Sequence, residues 1–197
     1  MLDITANTPE FDPAYASQAA FRALMECTAR PGDIRKLKGV DAPAPFAPAT
    51  AALIKSLADY ETPLWLDAKF AVDRNITDWI RFHTGAPIVR EPGDAAFALI
   101  ADADAAPSFA QFAQGTAEYP DRSTTLIMQI TRFSGGGFTL RGPGIKTTRD
   151  FAASPLPAGF AARMKENRAL FPRGIDLVLV AGTDIAALPR SVTVGER

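Results

Sequence analysis

The stretch Ile175-Asp-Leu-Val-Leu-Val180 decides the fold class of this chain. It is almost wholly apolar, which is typical of a β-strand that is covered on both faces. Further strands are predicted at Ala96-Phe-Ala-Leu-Ile100 and at Thr124-Thr-Leu-Ile-Met-Gln-Ile-Thr131, which is rich in β-branched residues. Since an edge strand would expose the apolar run, we predict that residues 175–180 form a central strand of the sheet.

Shorter strands and glycine turns surround these runs. Pro63-Leu-Trp-Leu66 is predicted to form a short buried strand. Gly135-Gly-Gly137 is predicted to turn the chain into the strand Phe138-Thr-Leu-Arg141, and Gly142-Pro-Gly144 to turn it again into the strand Ile145-Lys-Thr-Thr148.

Helices are predicted between the strands. The first begins after the cap residue Asp12, with Pro13 in its first position, and Pro31-Gly32 ends it. Its predicted apolar stripe has helical spacing and consists of Phe21, Leu24, Met25 and Thr28. Three more helices are predicted over Thr50 to Asp59, Asn75 to Thr84 and Gly159 to Leu170. Helices interspersed with buried strands predict an α/β, three-layer-like domain with a mixed β-sheet.

The composition predicts one domain that spans residues 1–197. Hydrophobic residues make up 47% of this 21.0 kDa chain, enough for a core without disulfides or metals. Lys and Arg (21) nearly balance Asp and Glu (22), so we expect no general binding to nucleic acid or anionic membranes. The single cysteine, Cys27, and an N-terminus without a basic head or an apolar run favour a cytoplasmic protein with no membrane span.

The motifs of several enzyme classes fail when they are tested on this sequence. Gly137 and Gly142 have the spacing of the first two P-loop glycines, but Pro143 follows where that loop needs lysine. One histidine and one cysteine exclude a conventional structural zinc site and a cysteine-ligated iron–sulfur cluster, so we predict no metal site. A pyridoxal phosphate site needs a lysine and a facing carboxylate; the composition leaves this open, but no local pattern marks such a site.

Three groups of residues are candidates for binding an anion or another ligand. They are Arg81 with His83 and Thr84, Arg141 beside Gly142-Pro-Gly144, and Arg173 with Gly174. Each group places a permanently charged guanidinium near a turn or a helix end, where free backbone amides also bind oxyanions. For each arginine the alternative is an ordinary surface salt bridge. For His83, on the apolar stripe of its helix, the alternative is to bond a carbonyl or to fill part of the core.

Short blocks of sequence, taken in order over nearly the whole chain, resemble the PhnH subunit of the bacterial carbon–phosphorus lyase system. The blocks are Phe21-Arg-Ala-Leu-Met25, Arg30-Pro-Gly32, Ala58-Asp-Tyr-Glu-Thr-Pro-Leu-Trp-Leu66, Ile80-Arg-Phe-His-Thr-Gly-Ala-Pro87, Gly115-Thr-Ala, Leu140-Arg-Gly-Pro-Gly-Ile145, Phe171-Pro-Arg-Gly-Ile-Asp-Leu177 and Ile185-Ala-Ala-Leu-Pro-Arg190. No single block is diagnostic, but the ordered set is specific.

The resemblance implies a fold, a set of partners and a pathway. The family's fold is similar to the large domain of PLP-dependent aminotransferases, without the cofactor and its lysine. Its members form homodimers in isolation and join the PhnG, PhnI and PhnJ subunits in a core complex. That complex serves organic phosphonate catabolism, in which ATP and methylphosphonate give ribose 1-methylphosphonate 5-triphosphate and adenine, a step attributed to PhnI with PhnG, PhnH and PhnL. The resemblance supplies no catalytic residue.

These considerations favour an accessory subunit of that complex, and they leave two alternatives open. One cysteine cannot hold the iron–sulfur cluster that radical cleavage of a carbon–phosphorus bond needs, so this chain is not the bond-breaking subunit. The first alternative is a stand-alone small-molecule enzyme on an aminotransferase-like fold, with Lys146 or another lysine carrying a cofactor. The second is a nucleotide- or phosphonate-binding module. Whether the subunit contacts ATP or phosphonate also stays open.

Overall fold

The structure, a computed structural model, describes residues 13–134 and 137–196. The helices are α1 (Pro13–Ala29), α2 (Pro48–Leu57), α3 (Ala68–Ala71), α4 (Arg74–Thr84) and α5 (Phe160–Ala169). The strands are β1 (Arg35–Lys36), β2 (Leu64–Leu66), β3 (Ile88–Val89), β4 (Phe97–Ile100), β5 (Thr125–Gln129), β6 (Phe138–Arg141), β7 (Arg149–Phe151), β8 (Asp176–Ala181), β9 (Asp184–Leu188) and β10 (Thr193–Glu196). Short 3₁₀ turns occupy Pro92–Asp94 and Phe109–Gln111.

The main sheet is mixed and has seven strands in the order β1-β9-β8-β5-β4-β2-β3. The strands β3, β2, β4, β5 and β8 are parallel, whereas β9 pairs antiparallel with both β8 and β1. Leu177 to Val180 are buried, and β8 lies between two other strands. The predicted interior position of this segment is confirmed, although β5 rather than β8 is the middle strand.

Two layers cover the two faces of this sheet. On one face, α1, α2 and α4 bury side chains such as Leu24, Leu53 and Ile80 against the sheet. On the other face, α5 and the small antiparallel sheet β10-β6-β7 bury Met164 and Leu140. The predicted α/β architecture with a mixed sheet is therefore confirmed. No helix in the described part of the chain is both long and apolar enough to cross a membrane.

The prediction of a strand at Ile145-Lys-Thr-Thr148 is wrong. The turn continues there, with the Ile145 amide donating to the Gly142 carbonyl at 3.1 Å, and β7 begins only at Arg149. The loop packs on the end of α1 so closely that a Cβ on Gly144 would collide with the Ala29 carbonyl. This long-range contact keeps the segment out of the sheet.

The first helix confirms its predicted bounds but not its predicted buried stripe. Leu24 is buried as expected, together with Ala20 and Cys27. Phe21 and Met25 are 49% and 51% exposed, because the sheet meets the neighbouring side of the helix. Thr28 is exposed as well, and its hydroxyl donates to the Leu24 carbonyl. The predicted cap Asp12 and the turn residues Gly135 and Gly136 lie outside the described residues.

In a mostly parallel sheet, the point where the chain changes direction between neighbouring strands determines where a ligand crevice opens. From β2 the chain runs through α3 and α4 to β3, and then returns to β4 on the other side of β2. The segments after β2 and after β4 lie on opposite faces, since Ile80 belongs to one core cluster and Phe109 to the other. Open α/β sheets bind ligands outside the carboxyl ends of strands at such a point.

Candidate functional site

The first predicted group, Arg81 with His83 and Thr84, lies at the carboxyl end of α4. Arg81 is largely exposed and makes a 3.8 Å ion pair with Asp78. Thr84 has a structural task, because its hydroxyl donates to the Ile80 carbonyl and accepts from the Ala86 amide, which closes the helix end. Gly85 follows in the left-handed conformation (φ 69°) that favours glycine at this position.

His83 is exposed, so the alternative that it fills part of the core is wrong. Its ring lies 4.3 Å from that of Trp79 and 5.0 Å from that of Phe82. Partial desolvation of the imidazole, and secondarily the Lys55 ammonium, hold the pKa of His83 below its ordinary value. The neutral form of the ring is therefore favoured, and the ring lies between the half-buried Trp79 and the 86% exposed Phe82.

The second predicted group, Arg141 beside Gly142-Pro-Gly144, faces the end of α1. Arg141 is exposed at the end of β6. The charged contacts in this region belong instead to Arg149, whose guanidinium pairs with Asp33 at 2.6 Å and donates to the carbonyls of Arg30 and Pro31. These bonds fasten the small sheet to the loop after α1.

The third predicted group, Arg173 with Gly174, lies immediately before β8. Neither backbone amide is free, because Arg173 donates to the Leu170 carbonyl at 3.0 Å and Gly174 to the Gln114 carbonyl at 2.9 Å. Gly174 has a φ of 119°, and a Cβ there would lie 2.8 Å from Asn167 Oδ1. The two backbone amides at this position therefore already have acceptors within the chain, while the Arg173 side chain is exposed.

Arg190 organises the surroundings of this third group, and sequence reasoning did not single it out. Its guanidinium and backbone amide bond the Asp176 carboxylate, and the same guanidinium donates to the Ser123 hydroxyl. It also donates to the carbonyls of Pro120 and Pro172, at 2.6 and 3.4 Å. One mostly buried arginine thus joins three distant segments at the amino ends of β5 and β8.

Two half-exposed aromatic rings flank the prolines that Arg190 holds. Tyr119 precedes Pro120, and the Arg122 guanidinium lies 4.3 Å from the centre of its ring. Phe171 precedes Pro172, and the Arg168 guanidinium lies 4.8 Å from the centre of its ring. We call the surface formed by Tyr119, Arg122, Arg168, Phe171 and Arg173 the Arg190 surface. No local pattern in the sequence marks this surface, because Arg190 and Asp176 meet only in the folded chain.

At the carboxyl ends of β2 and β4, a side chain of the protein binds three backbone amides. Asp67 follows β2 and is buried, and its Oδ1 accepts from the Phe70 amide at 3.0 Å. Its Oδ2 accepts from the amides of Ala101 and Asp102, after β4, at 2.7 and 3.1 Å. The amides that an anionic ligand would use at this point are therefore bound by an internal carboxylate.

A pocket of about 270 Å³ opens beside Asp102, with Lys69 and Thr131 in its wall. Gln129, also in the wall, bonds the Ala47 amide and the Pro45 carbonyl, so its side chain holds a loop. A second pocket of about 130 Å³ lies between α5 and the turn at Phe109–Gln111. Within residues 13–134 and 137–196, no three His, Cys, Asp or Glu side chains are grouped so as to hold a metal ion.

Comparison with known proteins identifies the family. The model of the bacterial phosphonate metabolism protein (PhnH) family matches residues 9–195. The chain belongs to the PhnH family. It is 44% identical over 182 residues to the alpha-D-ribose 1-methylphosphonate 5-triphosphate synthase subunit PhnH of Rhizobium meliloti (strain 1021). The aligned region covers 91% of this chain and 90% of the relative. The chain is also 36% identical over 81 residues to the putative C-P lyase subunit protein HtxG of Stutzerimonas stutzeri, which covers 41% of this chain and 42% of that one.

In this PhnH-family chain, the blocks that carried the resemblance meet in space. Block 171–177 meets block 185–190 where Asp176 bonds Arg190. Block 140–145 meets block 30–32, since Leu140 would contact a Cβ on Gly32 at 2.6 Å. Block 58–66 meets block 80–87, because the Leu64 amide donates to the Pro87 carbonyl at 2.8 Å. The blocks that carry the resemblance thus lie where distant segments of the chain contact one another. Ligand binding by the six predicted site residues stays a prediction.

Proposed function

We propose that this chain is an accessory subunit of the carbon–phosphorus lyase core complex in organic phosphonate catabolism. In this role it supports the formation of ribose 1-methylphosphonate 5-triphosphate and adenine from ATP and methylphosphonate. The observation that carries the proposal is the 44% identity, over 91% of the chain, to a relative named as a subunit of the corresponding synthase.

The geometry supports a role in assembly. Arginine and aromatic side chains, which are enriched in protein interfaces, meet at the Arg190 surface. An exposed apolar face on α1 carries Phe21 and Met25. At the carboxyl edge of the sheet, Asp67 binds the amides that a phosphate group would otherwise use.

The proposal includes partners, location and fold relationship. The partners are the PhnG, PhnI and PhnJ subunits, with a homodimer when the chain is isolated, and the location is the cytoplasm. The fold is proposed to be similar to the large domain of PLP-dependent aminotransferases, without the cofactor. Support comes from the family membership and from the mixed α/β sheet.

Adenine release tests the proposal. ATP and methylphosphonate are incubated with the chain alone, with PhnG, PhnI and PhnL alone, and with the reconstituted set. We expect no turnover by the lone chain and robust turnover only in the full set, because catalysis exceeds background by many orders of magnitude. Turnover by the lone chain that Arg81→Ala or His83→Ala abolishes would contradict the accessory role. Equal turnover with and without the chain would contradict its support of this step.

Two inexpensive measurements separate the alternatives. An internal aldimine in the absorbance spectrum of the purified chain would indicate a stand-alone PLP enzyme. Calorimetric titration with ATP and methylphosphonate, if it shows tight binding by the lone chain, would favour a binding module.

A further inference from the structure

The Arg190 surface presents two exposed arginines, Arg122 and Arg173, and the partly buried Arg168, and none of them pairs with a carboxylate of the described residues. Arg122 and Arg168 lie over the rings of Tyr119 and Phe171, and Arg173 follows in the next loop. Glu118, Asp121 and Glu166 lie on the same elements, yet none of them forms an ion pair with these arginines. The surface therefore carries both signs of charge, with its arginines free to bind an acceptor.

Arg190 makes this surface rigid. Its guanidinium holds the carbonyls of Pro120 and Pro172, the residues that follow the two aromatic rings. The rings are stacked with their arginines before any partner arrives. A preorganised surface of this kind loses little conformational entropy on binding, so more of its contact energy appears as affinity.

The backbone at this surface suits a broad partner better than a single phosphate. An anion-binding nest needs converging amides, but those of Arg173 and Gly174 already donate to Leu170 and Gln114. The arginines lie instead on three separate segments, the loop 119–122, the end of α5 and the loop before β8. Guanidinium groups that are spaced in this way fit carboxylates distributed over a protein face.

We propose that the Arg190 surface docks an acidic face of a partner subunit, with Arg122, Arg168 and Arg173 as the anchors. The inference rests on the proposed function, since it names the chemistry of a contact within that complex. The partner presents Asp or Glu side chains opposite the three guanidinium groups and apolar atoms against the free sides of Tyr119 and Phe171.

Charge reversal in the assembled complex tests the proposal. Arg122→Glu, Arg168→Glu and Arg173→Glu are each co-expressed with PhnG, PhnI and PhnJ, and the dissociation constant of the chain from the purified assembly is measured. Arg74→Glu, an exposed arginine at the start of α4, is the matched control. We expect each surface variant to weaken association by about tenfold or more and the control to change it by less than about twofold. Near-ultraviolet circular dichroism verifies that each variant is folded.

The outcomes separate this inference from the proposed function. If the unmodified chain associates and the surface variants associate equally well, the inference is overturned while the proposed function stands. If the unmodified chain does not associate, the proposed function fails, and poly-L-glutamate then probes the surface directly. Binding of this polymer that is lost in the triple variant supports the inference, and equal binding by both chains overturns it. ATP binding that the reversals abolish, with subunit association unchanged, overturns it in favour of a nucleotide site.

Discussion

At the scale of single residues, buried polar groups determine what the carboxyl edge of the sheet can do. Asp67 binds three amides from two segments that follow neighbouring strands. A buried donor that loses its acceptor costs the free energy of its desolvation, which exceeds the value of an average hydrogen bond. Asp67 therefore acts both as the cap of α3 and as the link between β2 and β4.

Replacement of Asp67 tests this role. We expect Asp67→Ala to lower the free energy of unfolding by about 2 kcal/mol or more, because three amides lose a charged acceptor. Asp67→Asn retains one acceptor oxygen, so its free energy of unfolding is expected to lie between those of Asp67→Ala and the unmodified chain. Urea denaturation measures both, with the exposed Asp121→Ala as a control that changes stability by less than about 0.5 kcal/mol. A change of that small size in Asp67→Ala would contradict the role.

Cys27 predicts a pH dependence of stability. Burial, only partly offset by the nearby Arg35, raises the pKa of its thiol from 9.0 to about 11. The unfolded chain ionises first, so the contribution of Cys27 to stability is complete below pH 9 and is lost as the pH rises towards 11. Two pKa units correspond to about 2–3 kcal/mol. The measurement is the slope of unfolding free energy between pH 9 and 11, which we expect to be smaller in Cys27→Ala; equal slopes would contradict it.

At the scale of secondary-structure elements, α1 shows why helical periodicity did not identify the buried side. The helix carries apolar side chains on two adjoining faces, Leu24 with Cys27 on one and Phe21 with Met25 on the other. Both faces fit a period of 3.6 residues. The sheet covers only the first, as the bond from the Cys27 thiol to the Ile185 carbonyl of β9 illustrates.

A matched pair of substitutions tests this orientation. We expect Leu24→Ala to destabilise the chain by about 2–4 kcal/mol, because it leaves a cavity against the sheet. Met25→Ala is expected to change stability by less than about 1 kcal/mol, since half of its side chain is in solvent. Urea denaturation is run at concentrations where light scattering shows one chain per particle. Equal losses for the two variants would contradict the orientation.

At the scale of the whole molecule, the exposed face of α1 predicts self-association. Phe21 and Met25 present apolar surface that a second chain would cover, and the homodimer proposed for the isolated subunit uses such a surface. The Arg190 surface lies instead at the amino ends of β5 and β8. The fold thus offers two surfaces of different chemistry.

Light scattering checks the homodimer. At micromolar concentration the particle mass is expected to be about twice the 21.0 kDa of one chain. Phe21→Lys combined with Met25→Lys is expected to shift the mass towards one chain, because charges on this face oppose its burial. Val72→Lys, at another exposed apolar residue, serves as the control and leaves the dimer intact. A mass of 21.0 kDa for the unmodified chain would contradict the prediction.

The sequence by itself was sufficient for the fold class, the family and the strands β2, β4, β5, β6 and β8, but it did not indicate β9, which completes the main sheet beside β8. Apolar runs such as residues 175–180 identify buried strands because burial on both faces leaves no polar positions. The signals at Pro13 and Gly85 identify helix ends because they act locally. The ordered blocks indicated the PhnH family, which the comparisons confirm.

Only the tertiary structure decided which groups meet. Arg190 and Asp176 are 14 residues apart, and Pro120 is 70 residues from Arg190, so no local pattern joins them. The Gly174 amide, which was expected to be free, donates to the carbonyl of Gln114 in a distant segment. His83 proved to be exposed because Ile76 and Ile80 bury the other side of α4. Local propensities act over a few residues, whereas a surface is made by segments that only the packing of the whole chain brings together.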